Sequence, residues 1–85
     1  MTEASSPTAV QRRILRFFQD HPHAVETVRG IGLWVGEEEK VIREALSDLL
    51  IRKWLTADET AAITAYALTR DERTLVQIRE AIGAQ

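Results

Sequence analysis

The spacing of apolar residues changes once along this chain, at Trp54, and that change restricts the fold more than any other feature. Upstream, Val41, Ile42, Ala45, Leu46, Leu49 and Leu50 recur at i, i+3, i+4, i+7, which lines them along one side of an α-helix. Downstream the period falls to two. The stretches 54–57 and 63–68 are β-branched and aromatic, and Thr64, Tyr66 and Leu68 alternate with Ile63, Ala65 and Ala67. They predict two short strands around a turn at Asp58-Glu59-Thr60. The helix ahead of them follows Gly36, opens on Glu37-Glu38-Glu39 and closes near Arg52-Lys53, a charge order that complements the helix dipole at both ends. The expected class is α+β, mostly α.

Three further helices complete the pattern. Ser6 as N-cap with Pro7 at the first helical position predicts a start there, because proline has no N–H to leave unpaired and its φ already suits a helix. Val10, Ile14, Leu15, Phe17 and Phe18 carry that helix to about Asp20, and His21-Pro22 ends it, since the residue before proline is pushed out of the α region. Val25, Val28 and Ile31 suggest a short second helix from Ala24 to about Ile31, weakened by Gly30 and Gly32. Thr69-Arg70-Asp71-Glu72 reads as a capping box for a last helix with Leu75, Ile78 and Ile82 on one face and Gly83 as its stop. The domain is expected over residues 7–83, with 1–6 a disordered end and 84–85 a C-terminal end.

Length and composition bound the function. Eighty-five residues form one small domain, with room for a thin core but not for a large substrate cavity as well. There is no cysteine, so no disulfide, thiolate nucleophile or cysteine zinc site is available. His21 and His23 bracket a proline in a loop with no carboxylate pair to complete a metal or catalytic site, and no glycine-rich phosphate loop is present. No catalytic residue, metal or cofactor is therefore expected, and the chain does not read as an enzyme. The first residues lack a signal-peptide pattern and no apolar run reaches the 18 or so residues of a membrane helix, which predicts a soluble cytoplasmic protein.

Three helices, a hairpin and a closing helix, in that order, resemble the winged helix-turn-helix superfamily of transcription regulators over roughly residues 8–82. Gly32 and Gly36 fit the small positions where two helices cross at a turn, Ile31 and Val35 the buried apolar ones, and Ile42, Ala45-Leu46 and Leu49 the seam of the second helix. Leu49 to Leu55 looks like the family's exit into the first wing strand, and Tyr66-Ala67-Leu68-Thr69 like its last strand and next N-cap. Two positions depart from the pattern. Lys53 stands where glycine is frequent, and Glu37 where an apolar residue is common, so the seam also admits a register with Val41 in place of Ile42.

The resemblance implies a DNA-binding domain of a small regulator, its reader helix at about 37–52 in the major groove and its wing on the backbone. The candidates for contact with double-stranded DNA are Arg29, Lys40, Arg43, Arg52 and Lys53, with Arg12, Arg13 and Arg16 on the first helix. The net charge of -2 and the acids at the reader N-terminus and in the wing oppose phosphate. They motivate the alternative of a protein-protein interaction module that binds a basic or apolar partner and no DNA. Trp34, Trp54, Leu75, Ile78 and Ile82 are the candidates for a protein interface, including a homodimer through the terminal helices, against the alternative that they pack within the monomer.

Overall fold

Seven elements follow one another in a computed structural model that describes residues 7–60 and 62–83: α1 (Ala9–Asp20), β1 (Val25–Glu26), α2 (Val28–Val35), α3 (Glu39–Ile51), β2 (Leu55–Thr60), β3 (Ile63–Leu68) and α4 (Glu72–Ala81). The ends assigned to residues 1–6 and 84–85 lie outside the described residues, as does Ser6.

Helix α1 starts later than Ser6-Pro7 suggests. Thr8 is its cap: the Thr8 hydroxyl accepts from the Gln11 N–H at 3.1 Å while Gln11 Oε1 accepts from the Thr8 N–H at 2.9 Å. The Gln11 side chain is buried and donates through Nε2 to the Ala45 carbonyl at 3.3 Å and to Asp48 Oδ2 at 3.0 Å, tying α1 to α3. The apolar stripe of α1 then buries Ile14, Leu15, Phe17 and Phe18 against Ile31, Ile42, Leu46, Leu49 and the sheet-facing Leu55 and Leu68. Each fully buried aliphatic side chain here stabilises the fold by roughly 1.5–3 kcal/mol.

The segment after His23 is not one helix. Val25 and Glu26 form β1, which pairs antiparallel with Ala67 and Tyr66, and α2 begins only at Val28 with the Thr27 hydroxyl accepting from the Gly30 N–H at 3.1 Å. Two residues are too few for alternation to register. Helix α2 ends at Gly36, whose φ of 77° is the left-handed region that glycine enters without steric cost. Gly32 is required for a different reason: a Cβ there would lie 2.9 Å from the Glu37 carbonyl oxygen, so the chain could not turn so tightly into α3. Ile42 is fully buried and Val41 only partly, which places the seam of α3 at Ile42, Ala45, Leu46 and Leu49.

The sheet has the order β1-β3-β2, so β2 is an outer edge. Asp58, Glu59 and Thr60 are not the turn but the second half of β2, paired with Ala65, Thr64 and Ile63. The pairing of Thr60 with Ile63 places the link between the strands after Thr60, later than the expected turn at Asp58-Glu59-Thr60. Helix α4 is likewise capped two residues later than Thr69: the Asp71 carboxylate accepts from the Thr74 N–H at 2.9 Å, and the Thr69 hydroxyl accepts from the Asp71 N–H. Ile78 and Ile82 close the core from below.

Candidate nucleic-acid interface

The N-terminal ends of α2 and α3 and the far end of the hairpin meet around one shallow groove of about 340 Å³. Thr27, Val28 and Arg29 come from α2 and its cap, Glu39 and Arg43 from α3, and Ala62, Ile63, Thr64 and Tyr66 from the hairpin. Arg29 and Arg43, distant in sequence, are thereby set on one rim. Both are exposed. Thr27, Thr64 and Tyr66 add hydroxyls to the same groove, so the surface offers two cations and several neutral donors, the groups that hold phosphate oxygens.

The carboxylates divide among different tasks. Glu37 is turned back to α1, where Arg13 Nη2 donates to Glu37 Oε2 at 2.8 Å. Glu38 is the N-cap residue of α3 but makes no capping hydrogen bond with its side chain. Glu39 lies 3.4 Å from Arg43 Nη2 one turn on, with both side chains about half exposed. An exposed i, i+4 pair of this kind is worth about 0.3–0.5 kcal/mol, little enough for Arg43 to exchange Glu39 for a phosphate.

The basic residues at the other end of α3 are arranged differently. Lys40 is exposed near the start of the helix, whereas Arg52 lies roughly 18 Å farther along the axis. Arg52 Nε donates to Asp48 Oδ2 at 3.0 Å, the oxygen that Gln11 also uses, and its guanidinium sits 4.9 Å from the centre of the Trp54 ring. Its side chain is only 17% exposed, which makes it a brace between α1, α3 and β2. Lys53 follows it, exposed and at φ 67°. The structure therefore brings Arg29 and Arg43 together on one groove, leaves Lys40 exposed on the first turn of α3 outside its lining, and sets Arg52 and Lys53 at the opposite end of that helix.

The other candidates are sorted by burial. Trp54, Ile78 and Ile82 belong to the core, Leu75 packs half-buried against it, and Trp34 is 60% exposed. Ile78 and Ile82 are turned inward, while Val76 on the same helix is 48% exposed. Sequence reading omitted Leu33, 78% exposed on α2, because one more apolar residue in a short amphipathic stretch carries no sign of which way it points.

Solved structures with the same arrangement identify it. A MarR family transcription regulator superimposes with a TM-score of 0.69 at 22% identity, covering 88% of this chain and 48% of that one. Bordetella bronchiseptica BpsR, whose DNA binding is regulated by 6-hydroxynicotinic acid, gives 0.71 at 22% identity over 95% of this chain and 65% of its own. The fold is a winged helix-turn-helix. A Lactococcus lactis ZitR variant in complex with DNA gives 0.64 at 16% identity over 94% of this chain and 66% of that one. In winged-helix terms α2 and α3 are the helix-turn-helix and β2–β3 the wing. The winged helix domain spans about half to two thirds of the length of these proteins. No protein-family model and no curated protein matches the chain. Among the described residues no helix is long and apolar enough to cross a membrane, and no group of three or more His, Cys, Asp or Glu side chains is placed to hold a metal.

Proposed function

We propose that this winged helix domain is the DNA-binding part of a transcription regulator, with α3 as reader and Arg29, Lys40 and Arg43 as its phosphate and base contacts. The observation that carries the reading is the convergence of Arg29 and Arg43 with the hydroxyls of Thr27, Thr64 and Tyr66 on the face shared by α3 and the wing. Lys53, at the far end of α3, is a peripheral backbone contact in this reading, and Arg52 acts through the position it gives to Trp54 and β2. The likeness to ZitR, solved with DNA, is consistent with use of that face.

Binding is expected to be weak on random duplex, because Glu38 and Glu39 and the wing acids Asp58 and Glu59 all lie exposed. Fluorescence anisotropy against a duplex selected from a randomised pool, repeated over a salt series, tests this. Affinity should fall with salt, and Arg29→Ala or Arg43→Ala should each lower the slope of log K against log salt by about one. Glu39→Gln should raise affinity. Failure of any duplex to be enriched, or a salt-independent affinity, would overturn the reading.

A second reading, a module for protein assembly, is favoured by a specific pair of observations: the exposed Asp58 and Glu59 on β2 suit a basic partner, and the exposed Leu33 and Trp34 suit an apolar one. In that case the Glu39→Gln variant leaves DNA affinity at zero.

A further inference from the structure

The face of α1 that turns to the core is apolar except at one position. Ile14, Leu15 and Phe18 are fully buried there, and Gln11, one turn ahead of Ile14 and Leu15, is enclosed almost as completely at 4% exposure. A methionine would fill the same space without taking polar atoms out of water. The amide has instead a partner for each of its polar functions. Nε2 donates to the Ala45 carbonyl and to Asp48 Oδ2, while Oε1 accepts from the Thr8 N–H. One side chain thus holds the first turn of α1 and two positions three residues apart on α3, which lie on the same side of that helix.

The connection continues beyond α3. Asp48 Oδ2 also accepts from Arg52 Nε, and the Arg52 guanidinium lies over the ring of Trp54. Trp54 leads into the wing: its N–H donates to the Leu49 carbonyl, and its own carbonyl accepts at 3.1 Å from the N–H of Thr69, the residue after β3. What this line adds is direction more than strength. Apolar helix faces pack at preferred crossing angles with a scatter of about 15–20°, whereas a hydrogen bond weakens steeply off its axis. The ion pair of Arg13 with Glu37 also leaves α1 for this region, but it lies at the surface with the arginine about half exposed and resists rotation little. A turn of α3 by about 20° would carry a group ~6 Å from the helix axis by roughly 2 Å, enough to break a hydrogen bond to a base or phosphate.

We infer that Gln11 is a positioning residue for the reader helix: by binding Ala45 and Asp48 it fixes the rotation of α3, and with it the place of Arg43 opposite Arg29. Neither Gln11 nor Asp48 lines the groove shared by α3 and the wing, so the effect is exerted from behind the contact surface. The inference rests on the DNA reading for its consequence, though not for its geometry.

Gln11→Met in the whole chain removes the amide and keeps the volume. Asp48 stays about half exposed and bonded to Arg52, and Thr8 is exposed, so its N–H turns to water; the urea midpoint should hardly move. Residual dipolar couplings of the backbone amides should show α3 turned against α1 by on the order of 10°. On a duplex selected with the wild type, affinity should fall at least about tenfold. On random duplex it should fall less than about threefold with an unchanged salt slope, because no cation is deleted. A role in packing alone would leave the ratio of selected to random affinity at its wild-type value in the folded protein. Should Gln11→Met not fold, Gln11→Glu takes its place: it keeps an oxygen for the Thr8 N–H, loses both donors toward α3, and should give the same displacement in the couplings. An α3 that stays in place, or a variant that discriminates as well as the wild type, overturns the inference. So does failure of both variants to fold, since Gln11 would then hold the fold and not the angle. If the wild type enriches no duplex, it is the DNA reading that fails, and the couplings decide whether Gln11 positions α3.

Discussion

Lys53 is a left-handed residue at the end of α3, held there because two hydrogen bonds close the helix around it. The Lys53 N–H donates to the Leu50 carbonyl at 2.9 Å and the Trp54 N–H to the Leu49 carbonyl at 3.0 Å. This pairing requires φ near +60° at the residue between helix and strand, a conformation that costs a side chain with a Cβ about 1–2 kcal/mol. Lysine at a position where the family often has glycine was legible in the sequence, but its reason was not. We expect Lys53→Gly to stabilise the domain by about 0.5–1 kcal/mol, the relief of strain less the added freedom of glycine in the unfolded chain. Urea unfolding checks it; a loss of stability would mean that the lysine stem is packed in a way its exposure does not indicate. The other residue-scale lesson is Arg52, whose type and place on α3 suggested a DNA contact. Its occupation depends on Gln11 and Trp54, from other elements, and no spacing rule reports that.

At the scale of elements, the long helices were legible because three or more turns give a repeating stripe, and Ile42 with Leu46 and Leu49 shows where the stripe of α3 faces. The two shortest features were not. β1 has two residues, and β2 contains Asp58 and Glu59, which are poor strand formers and look like a turn until β3 is present to pair with them. Capping was also displaced: the threonine at 69 supports Asp71, and Asp71 caps α4. The Asp71 carboxyl is held below the usual carboxylate range chiefly by the hydrogen bond from the Thr74 hydroxyl, then by that from the Thr74 N–H, with slight desolvation opposing. A lowered folded value means that the charged cap stabilises the native state above the ordinary carboxylate pKa of about 4, and that this contribution is lost as pH falls through the folded value. Asp71→Asn keeps an acceptor but does not titrate. Thermal unfolding of both proteins from about pH 6 down to about pH 2 should therefore show the advantage of the wild type shrinking below about pH 4; parallel curves would exclude the linkage.

For the whole molecule, a net charge of -2 gives no guide to where a polyanion could dock, because the charges are partitioned by tertiary structure. Arg13, Arg43 and Arg52 each have a carboxylate neighbour, whereas the rim of the α3–wing groove keeps Arg29 exposed beside Arg43. The candidate surface was thus half legible: Arg29 and Arg43 could be named as candidates from the sequence, but which cations stand together depends on α2 crossing α3, and that crossing rests on the space Gly32 leaves at the turn.

The outer position of β2 also bears on what this molecule does in a crowded solution. A six-residue strand with a free row of backbone donors and acceptors is a template on which other chains can add, and the usual protection is charge placed on the strand itself. Asp58 and Glu59 supply it. Stacking a second β2 against the first would bring carboxylates together, and their repulsion opposes the addition. We expect Asp58→Asn with Glu59→Gln to leave the native fold intact but to shorten the lag before thioflavin-positive fibres form under mildly destabilising conditions. Equal lag times for the two proteins at neutral pH would show that the acids do not guard the edge. The acids that make this wing look ill suited to a phosphate backbone would then be what keeps its strands from growing into a fibre.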